Sequence, residues 1–209
     1  NGSFVPWTYK SIRDKKQKNI KNIANGISIL VAVMLSLLIL ITPELMRFIA
    51  GPEYYEAIWV VPPIAASLFF LFMSQLSINI EFYFGENTLL IKGSIISALV
   101  NVVLNFIFIQ MFGYIAAGYT TLIAYIIFCL TNYSCMKKIC KKEFGEENWK
   151  LYDTKFLSIL SIGFLITMVV LTVLYPFVIV RYVIIAAILF VLFLKRKLII
   201  EKIKEVRKG

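Results

Sequence analysis

Apolar residues in this chain gather into six stretches, roughly 23–42, 57–84, 93–112, 114–136, 156–175 and 177–194, with polar gaps between them. A helix rises about 1.5 Å per residue, so about 20 apolar residues cross the hydrocarbon core of a bilayer. Each stretch therefore predicts one transmembrane helix. The run from Gly93 to Met136 carries no charge and is too long for one crossing. It predicts two helices joined by a tight turn at Met111-Phe112-Gly113. The expected fold is all-α: a polytopic integral membrane bundle of about six transmembrane helices.

The polar positions inside these spans are not scattered. On the second span Ser67, Ser74, Ser77 and Glu81 fall within about 80° of one another at a helical pitch, with Gln75 and Asn79 on a neighbouring face. The third span has Ser94, Ala98, Asn101 and Asn105 at steps of four, three and four. The fourth has Ala117, Thr121, Ala124, Thr131 and Cys135, and the fifth a weaker set of Ser158, Ser161 and Thr172. The sixth is apolar from Val183 to Leu194. Spans two to four are thus expected to form an inner wall, and spans five and six to be peripheral. Pro62-Pro63 fits a helix start or a kink, because neither nitrogen can donate to the ladder. The first span is expected to end at Thr42-Pro43-Glu44.

Charge gives the bundle a direction. The 22 Lys and Arg residues put six in the gap 8–22, one in 85–92, six in 137–155 and seven in 195–209. The alternate gaps 42–56, 110–114 and 175–181 hold only Arg47 and Arg181. This is the positive-inside pattern, and it predicts that both ends of the chain lie in the cytoplasm. Tyr54, Tyr55 and Trp59 suit an aromatic belt on the outer side, and Trp7, Tyr9 and Phe82-Tyr83-Phe84 on the inner. The segment 137–155 is expected to be a short surface helix or a mobile loop. The tail 195–209 is expected to continue the last helix or to lie along the membrane surface.

Composition narrows the class. A mean hydropathy of +0.82 and 60% hydrophobic residues exclude an ordinary soluble domain. The net charge of +10 belongs to loops facing anionic headgroups, so no nucleic-acid partner is expected. Cys129, Cys135 and Cys140 lie at the expected reducing side and match no zinc spacing, so they are read as structural. The chain starts at Asn1 without a methionine, so residues 1–8 are read as the end of a preceding helix and the chain as part of a longer protein. The division that follows is a four-helix core at 9–139, a cytoplasmic loop at 140–155, a helix pair at 156–194 and a basic tail at 195–209.

Catalysis finds little footing. The chain has no histidine, so Ser-His and Cys-His nucleophile pairs cannot form within it. No Gly-rich phosphate loop is present, and no bound cofactor is expected. Glu81 is the charged residue read as lying inside a span. A carboxylate there is costly and often functional, but it sits near the span's end, within reach of water or of Lys92. Asn101 and Asn105 stand one turn apart. They fit either hydrogen bonds between helices or the lining of a polar cavity. Gly113 is assigned to the tight turn, and Ala116, Ala117 and Gly118 to close helix approach. The candidate transport pathway is Ser74, Gln75, Asn79, Glu81, Lys92, Asn101, Asn105 and Thr121.

Four stretches carry a family resemblance. They are Pro43-Glu44 followed by Gly51 and Tyr54-Tyr55-Glu56-Ala57; Glu81 to Phe84; Asn101 to Ile109; and Phe112 to Thr121. In that order and spacing, Pro43 to Ile139 resembles the C-terminal half of bacterial polysaccharide flippases. These are the oligosaccharide-lipid exporters of the multidrug/oligosaccharidyl-lipid/polysaccharide superfamily. The family usually has Pro where this chain has Gln110. The resemblance implies one lobe of a two-lobed, MATE-like transporter of about twelve to fourteen helices, working by alternating access. It implies a lipid-linked oligosaccharide as cargo, usually on undecaprenyl pyrophosphate, in the bacterial cytoplasmic membrane, for surface polysaccharide such as O-antigen or capsule. Proton or sodium coupling stays open. The pyrophosphate needs Arg or Lys, which this half almost lacks at membrane depth. The cavity's cations are therefore expected in the N-terminal lobe. The alternatives are a MATE-like drug or metabolite exporter and a membrane-embedded polymerase or sugar transferase. The last would need a large outer loop with catalytic acids.

Overall fold

A computed structural model of the chain describes residues 4–14, 17–49 and 51–208. Asn1, Lys15, Lys16 and the final residue of the tail lie outside the described residues. The described chain forms helices α1 (Phe4–Arg13), α2 (Gln17–Ile49), α3 (Val61–Tyr83), α4 (Asn87–Phe112), α5 (Ala116–Asn148), α6 (Thr154–Val173) and α7 (Val178–Lys208). A 3-10 segment, Pro52–Trp59, joins α2 to α3. Among the described residues there is no strand. Six segments are long and apolar enough to cross a membrane: Lys18–Ile49, Tyr54–Tyr83, Ile91–Phe112, Ala116–Asn148, Thr154–Val173 and Val178–Lys202. The protein is an all-α, multi-pass membrane bundle.

The turns follow from local chemistry. Pro62 and Pro63 sit in the first turn of α3, where a missing N–H leaves no bond unmade. Gly113 ends α4 with φ near +70°, a conformation that side chains with a Cβ resist, and α5 starts three residues later. The Asp153 carboxylate caps α6 by accepting from the Phe156 N–H at 3.1 Å.

Helix α3 is the hub. It packs most extensively on α5, with α2 and α6 on its other sides. Its Phe69 ring meets Phe164 of α6 at 4.6 Å between centroids. Gly118 is what lets α5 approach so closely: a Cβ there would sit 2.9 Å from Pro63 Cγ and 3.1 Å from the Val60 carbonyl oxygen. Helix α4 leans on α5 and meets α3 only over a short stretch. Its outward face, including Val102, Phe106 and Met111, is exposed. Helix α7 likewise exposes Val183, Phe190, Phe193 and Leu194.

Three boundaries and roles differ from the sequence expectation. Helix α2 passes through Pro43 and ends at Ile49, not at Thr42. The proline removes one rung, at the Ile39 carbonyl, but does not stop the helix, and Arg181 donates to the adjacent Leu40 carbonyl. Segment 140–155 is not a loop throughout: α5 runs to Asn148, with a break in helical geometry at Gly145. The connection beyond it is packed inward, with Trp149, Leu151 and Tyr152 buried. Helix α6 is not peripheral, since Phe164, Met168 and Leu171 are buried against α2 and α3. Of the two arrangements expected for the tail, the structure shows the first: it continues α7, and Lys202 Nζ donates to the Asn22 carbonyl at 3.4 Å.

The end away from the lysine-rich gaps carries an ion pair that the sequence pattern did not announce. Arg181, in the first turn of α7, is only 2% exposed. Its two terminal nitrogens each donate to Glu44 of α2 at 2.7 Å. Arg47, the other cation at that end, lies over the Tyr55 ring at 5.4 Å. All three cysteines are free thiols.

Candidate transport groove

Three helices border an open groove of about 480 Å³, mostly apolar but set with several polar side chains. Leu71 and Gln75 come from α3, Ser94, Ser97, Ala98 and Asn101 from α4, and Thr121, Ala124, Tyr125 and Phe128 from α5. The groove exists because α4 stays on α5 and diverges from α3. Ser94 and Ala98 on its rim are exposed, so it opens outward from the bundle. The lining has no Lys, Arg, Asp or Glu.

The groove's key amide is oriented by its neighbours. The single hydroxyl proton of Thr120 is shared between Asn105 Oδ1, across the α4–α5 interface, and the Ala117 carbonyl on its own helix at 3.0 Å. Asn105 Nδ2 then donates to Asn101 Oδ1 at 3.0 Å, one turn along α4. Each bond in this row consumes an acceptor and leaves a donor for the next. Asn101 therefore faces the groove with the two N–H bonds of its amide. Ser97 spends its hydroxyl proton on the Gly93 carbonyl at 2.9 Å, so it offers the groove lone pairs. Donors and acceptors are both present, and formal charge is not.

Towards the lysine-rich end the wall continues into a buried polar set. Asn79 stands one turn beyond Gln75 on α3, and Asn132 one turn beyond Phe128 on α5. Both are buried. Asn79 Nδ2 and Asn132 Oδ1 have no hydrogen-bond partner among the described residues. Glu81 is fully buried, and neither of its carboxylate oxygens has a partner among the described residues. Leaving such a group unpaired costs about 1–3 kcal/mol, and more for a charged one.

Of the eight residues marked from sequence, Gln75, Asn101 and Thr121 line the groove together. Asn105 supports it from behind, so the packing and the lining readings of the asparagine pair each describe one of the two residues. Asn79 and Glu81 lie buried beyond it. Ser74 is turned away, its hydroxyl bonded to the Phe70 carbonyl at 2.9 Å. Lys92 is exposed on α4 and is not among the lining residues. Sequence reasoning missed Ser97, Thr120 and Asn132. The last two were legible in principle, because an amide or hydroxyl in an apolar span needs a partner and their helical neighbours were already marked.

Comparison with known proteins returns no match: no family model, no curated protein and no solved structure is similar to the chain.

Proposed function

We propose that this chain is one lobe of a two-lobed flippase that carries a lipid-linked oligosaccharide, on an undecaprenyl-pyrophosphate-type carrier, outward across the bacterial cytoplasmic membrane. The observation that carries this reading is the uncharged groove with its outward-presented Asn101 amide. A sugar headgroup is dense in hydroxyls and carries little charge. It needs exchangeable donors and acceptors at membrane depth, and a fixed charge there would be expensive. The run from Pro43 to Ile139 that resembles polysaccharide flippases adds to the reading. In this proposal the lysine-rich gaps lie in the cytoplasm, and the cations that meet the pyrophosphate come from the partner lobe.

A second reading is an exporter of hydrophobic organic cations. Tyr125 and Phe128 in the groove and the unpaired Glu81 favour it, since aromatic faces and a carboxylate both attract a lipophilic cation.

The deciding experiment removes the protein and follows lipid-linked oligosaccharide by leaflet. Accumulation in the inner leaflet, reversed by the wild-type gene and not by an Asn101→Leu variant of equal abundance, is the expected result. Normal outward transfer in the deletion strain rejects the flippase. Sensitisation to cationic drugs in that strain would then identify the exporter.

A further inference from the structure

A second cavity lies on the other side of α3. Gln75 faces the first groove, whereas Ser77, two residues on, points roughly 160° away. There, α3, α5 and α6 enclose a crevice of about 350 Å³. It exists because α5 and α6 flank α3 without packing on each other. Phe70 and Met73 form its back, while Leu130 of α5 and Ile162 of α6, both exposed, stand at its lips. The lips lie within two predicted spans, so the crevice opens sideways into hydrocarbon.

Its end towards the lysine-rich side is closed by a built floor. Tyr152 lines the crevice, and its hydroxyl donates to the Leu76 carbonyl at 3.0 Å. Burial pushes the Tyr152 phenol well above its ordinary pKa, so it stays neutral. Just outside this floor, Lys137 Nζ and Lys150 Nζ rest on the two-ring face of Trp149, at 5.4 and 5.8 Å from its centroid. Lys155 is exposed in the first turn of α6, next to Thr154 of the lining. Of the acidic residues nearest in sequence, Asp153 is occupied in capping α6, Glu146 pairs with Lys141, and Glu147 is exposed, so lysines outnumber free carboxylates at this end.

We infer that this crevice is a binding site for an anionic phospholipid, with one acyl chain along α3 between α5 and α6 and the phosphate held by Lys137 and Lys150 beside Trp149. The chain alone would give no selectivity, because hydrocarbon leaves hydrocarbon to enter the crevice. Selectivity comes from the headgroup, since a basic cluster at the membrane surface attracts anionic lipid. The inference does not rest on what the groove transports.

The test places the whole protein in phosphatidylcholine vesicles containing about one-fifth phosphatidylglycerol. The bromine label is put either on the phosphatidylglycerol or on an equal mole fraction of the phosphatidylcholine. Tryptophan fluorescence is read in wild type and in Trp149→Phe, and the difference isolates Trp149. Brominated phosphatidylglycerol is expected to quench the Trp149 component at least about threefold more than brominated phosphatidylcholine. Joint substitution of the half-buried Lys137 and the exposed Lys150, Lys137→Gln and Lys150→Gln, with folded abundance checked in detergent, is expected to abolish that preference. Ser161→Phe, which fills the crevice, is expected to reduce quenching by both lipids. Equal quenching in wild type overturns the inference. So does a preference that survives the double lysine substitution, or quenching by both lipids that Ser161→Phe leaves unchanged.

Discussion

Arg181 and Glu44, 137 residues apart in sequence, meet in a two-pronged ion pair with both N–O distances at 2.7 Å. The same guanidinium reaches past the carboxylate to the Leu40 carbonyl at 2.7 Å. That carbonyl lies next to the one that Pro43 leaves without its rung, so one side chain joins α7 to α2 beside the weak point of α2. Removing one partner leaves a charge stranded in an apolar setting. We expect Arg181→Gln or Glu44→Gln to cost about 2–3 kcal/mol of stability, read as a lowered Tm in detergent. The joint Arg181→Met, Glu44→Met variant should recover much of the loss. A double variant as unstable as the worse single one would show that the pair's geometry, and not the stranded charge, sets the cost.

Two glycines in transmembrane helices should respond in opposite ways to alanine. At Gly118 the new methyl meets Pro63 and the Val60 carbonyl at 2.9 and 3.1 Å. At Gly163 on α6 nothing lies within 4 Å. Gly118→Ala should lower folded abundance by forcing α5 off α3. Gly163→Ala should be neutral or stabilising by up to about 1 kcal/mol, through reduced freedom of the unfolded chain. Comparable losses for both would contradict the α3–α5 contact described above.

The asparagine pair should separate by phenotype. Asn105→Leu breaks the bond to Thr120 on α5 and frees the amide of Asn101. It should reduce membrane abundance. Asn101→Leu removes the groove-facing end of the row and the acceptor of Asn105 Nδ2, but keeps the contact between Asn105 and Thr120 that joins α4 to α5. It should leave abundance near wild type while lowering transport per molecule. Quantitative immunoblotting alongside a leaflet assay distinguishes the two, and equal loss of abundance would reduce both residues to packing.

Glu81 offers a third contrast. Glu81→Gln keeps the shape and removes the possibility of a buried charge with no partner. Membrane abundance should be unchanged or higher. If abundance falls sharply, the carboxylate has a structural partner that this conformation does not show.

Much of this architecture was legible because bilayer thickness imposes a length on apolar segments and leaves few foldings to choose among. The six spans and the turn at Gly113 follow from that constraint. The groove was legible in part, since Gln75, Asn101 and Thr121 are polar residues spaced for one face each. What escaped the sequence depends on which helices are neighbours. Nothing at Pro43 signals that the helix runs on through it, or that a cation 138 residues later bonds the turn before it. Nothing in Phe164 or Met168 separates burial against α3 from exposure to lipid, because the bilayer rewards both. The connection after Asn148 looked solvent-exposed from its lysines, yet Trp149, Leu151 and Tyr152 turn inward beneath α3.

The row from Thr120 through Asn105 to Asn101 has an energetic consequence for binding. A lone asparagine at a membrane interface must give up rotational freedom, and often an earlier partner, before it can hold a ligand. Here that ordering is complete when the helices pack. Asn101 is preorganised, and a hydroxyl arriving in the groove meets a donor already aimed and fixed. Binding there spends nothing on ordering the amide, so a weak contact to a single hydroxyl still counts towards holding a ligand. In the proposed flippase, many such contacts, each modest, would hold a sugar headgroup without a fixed charge.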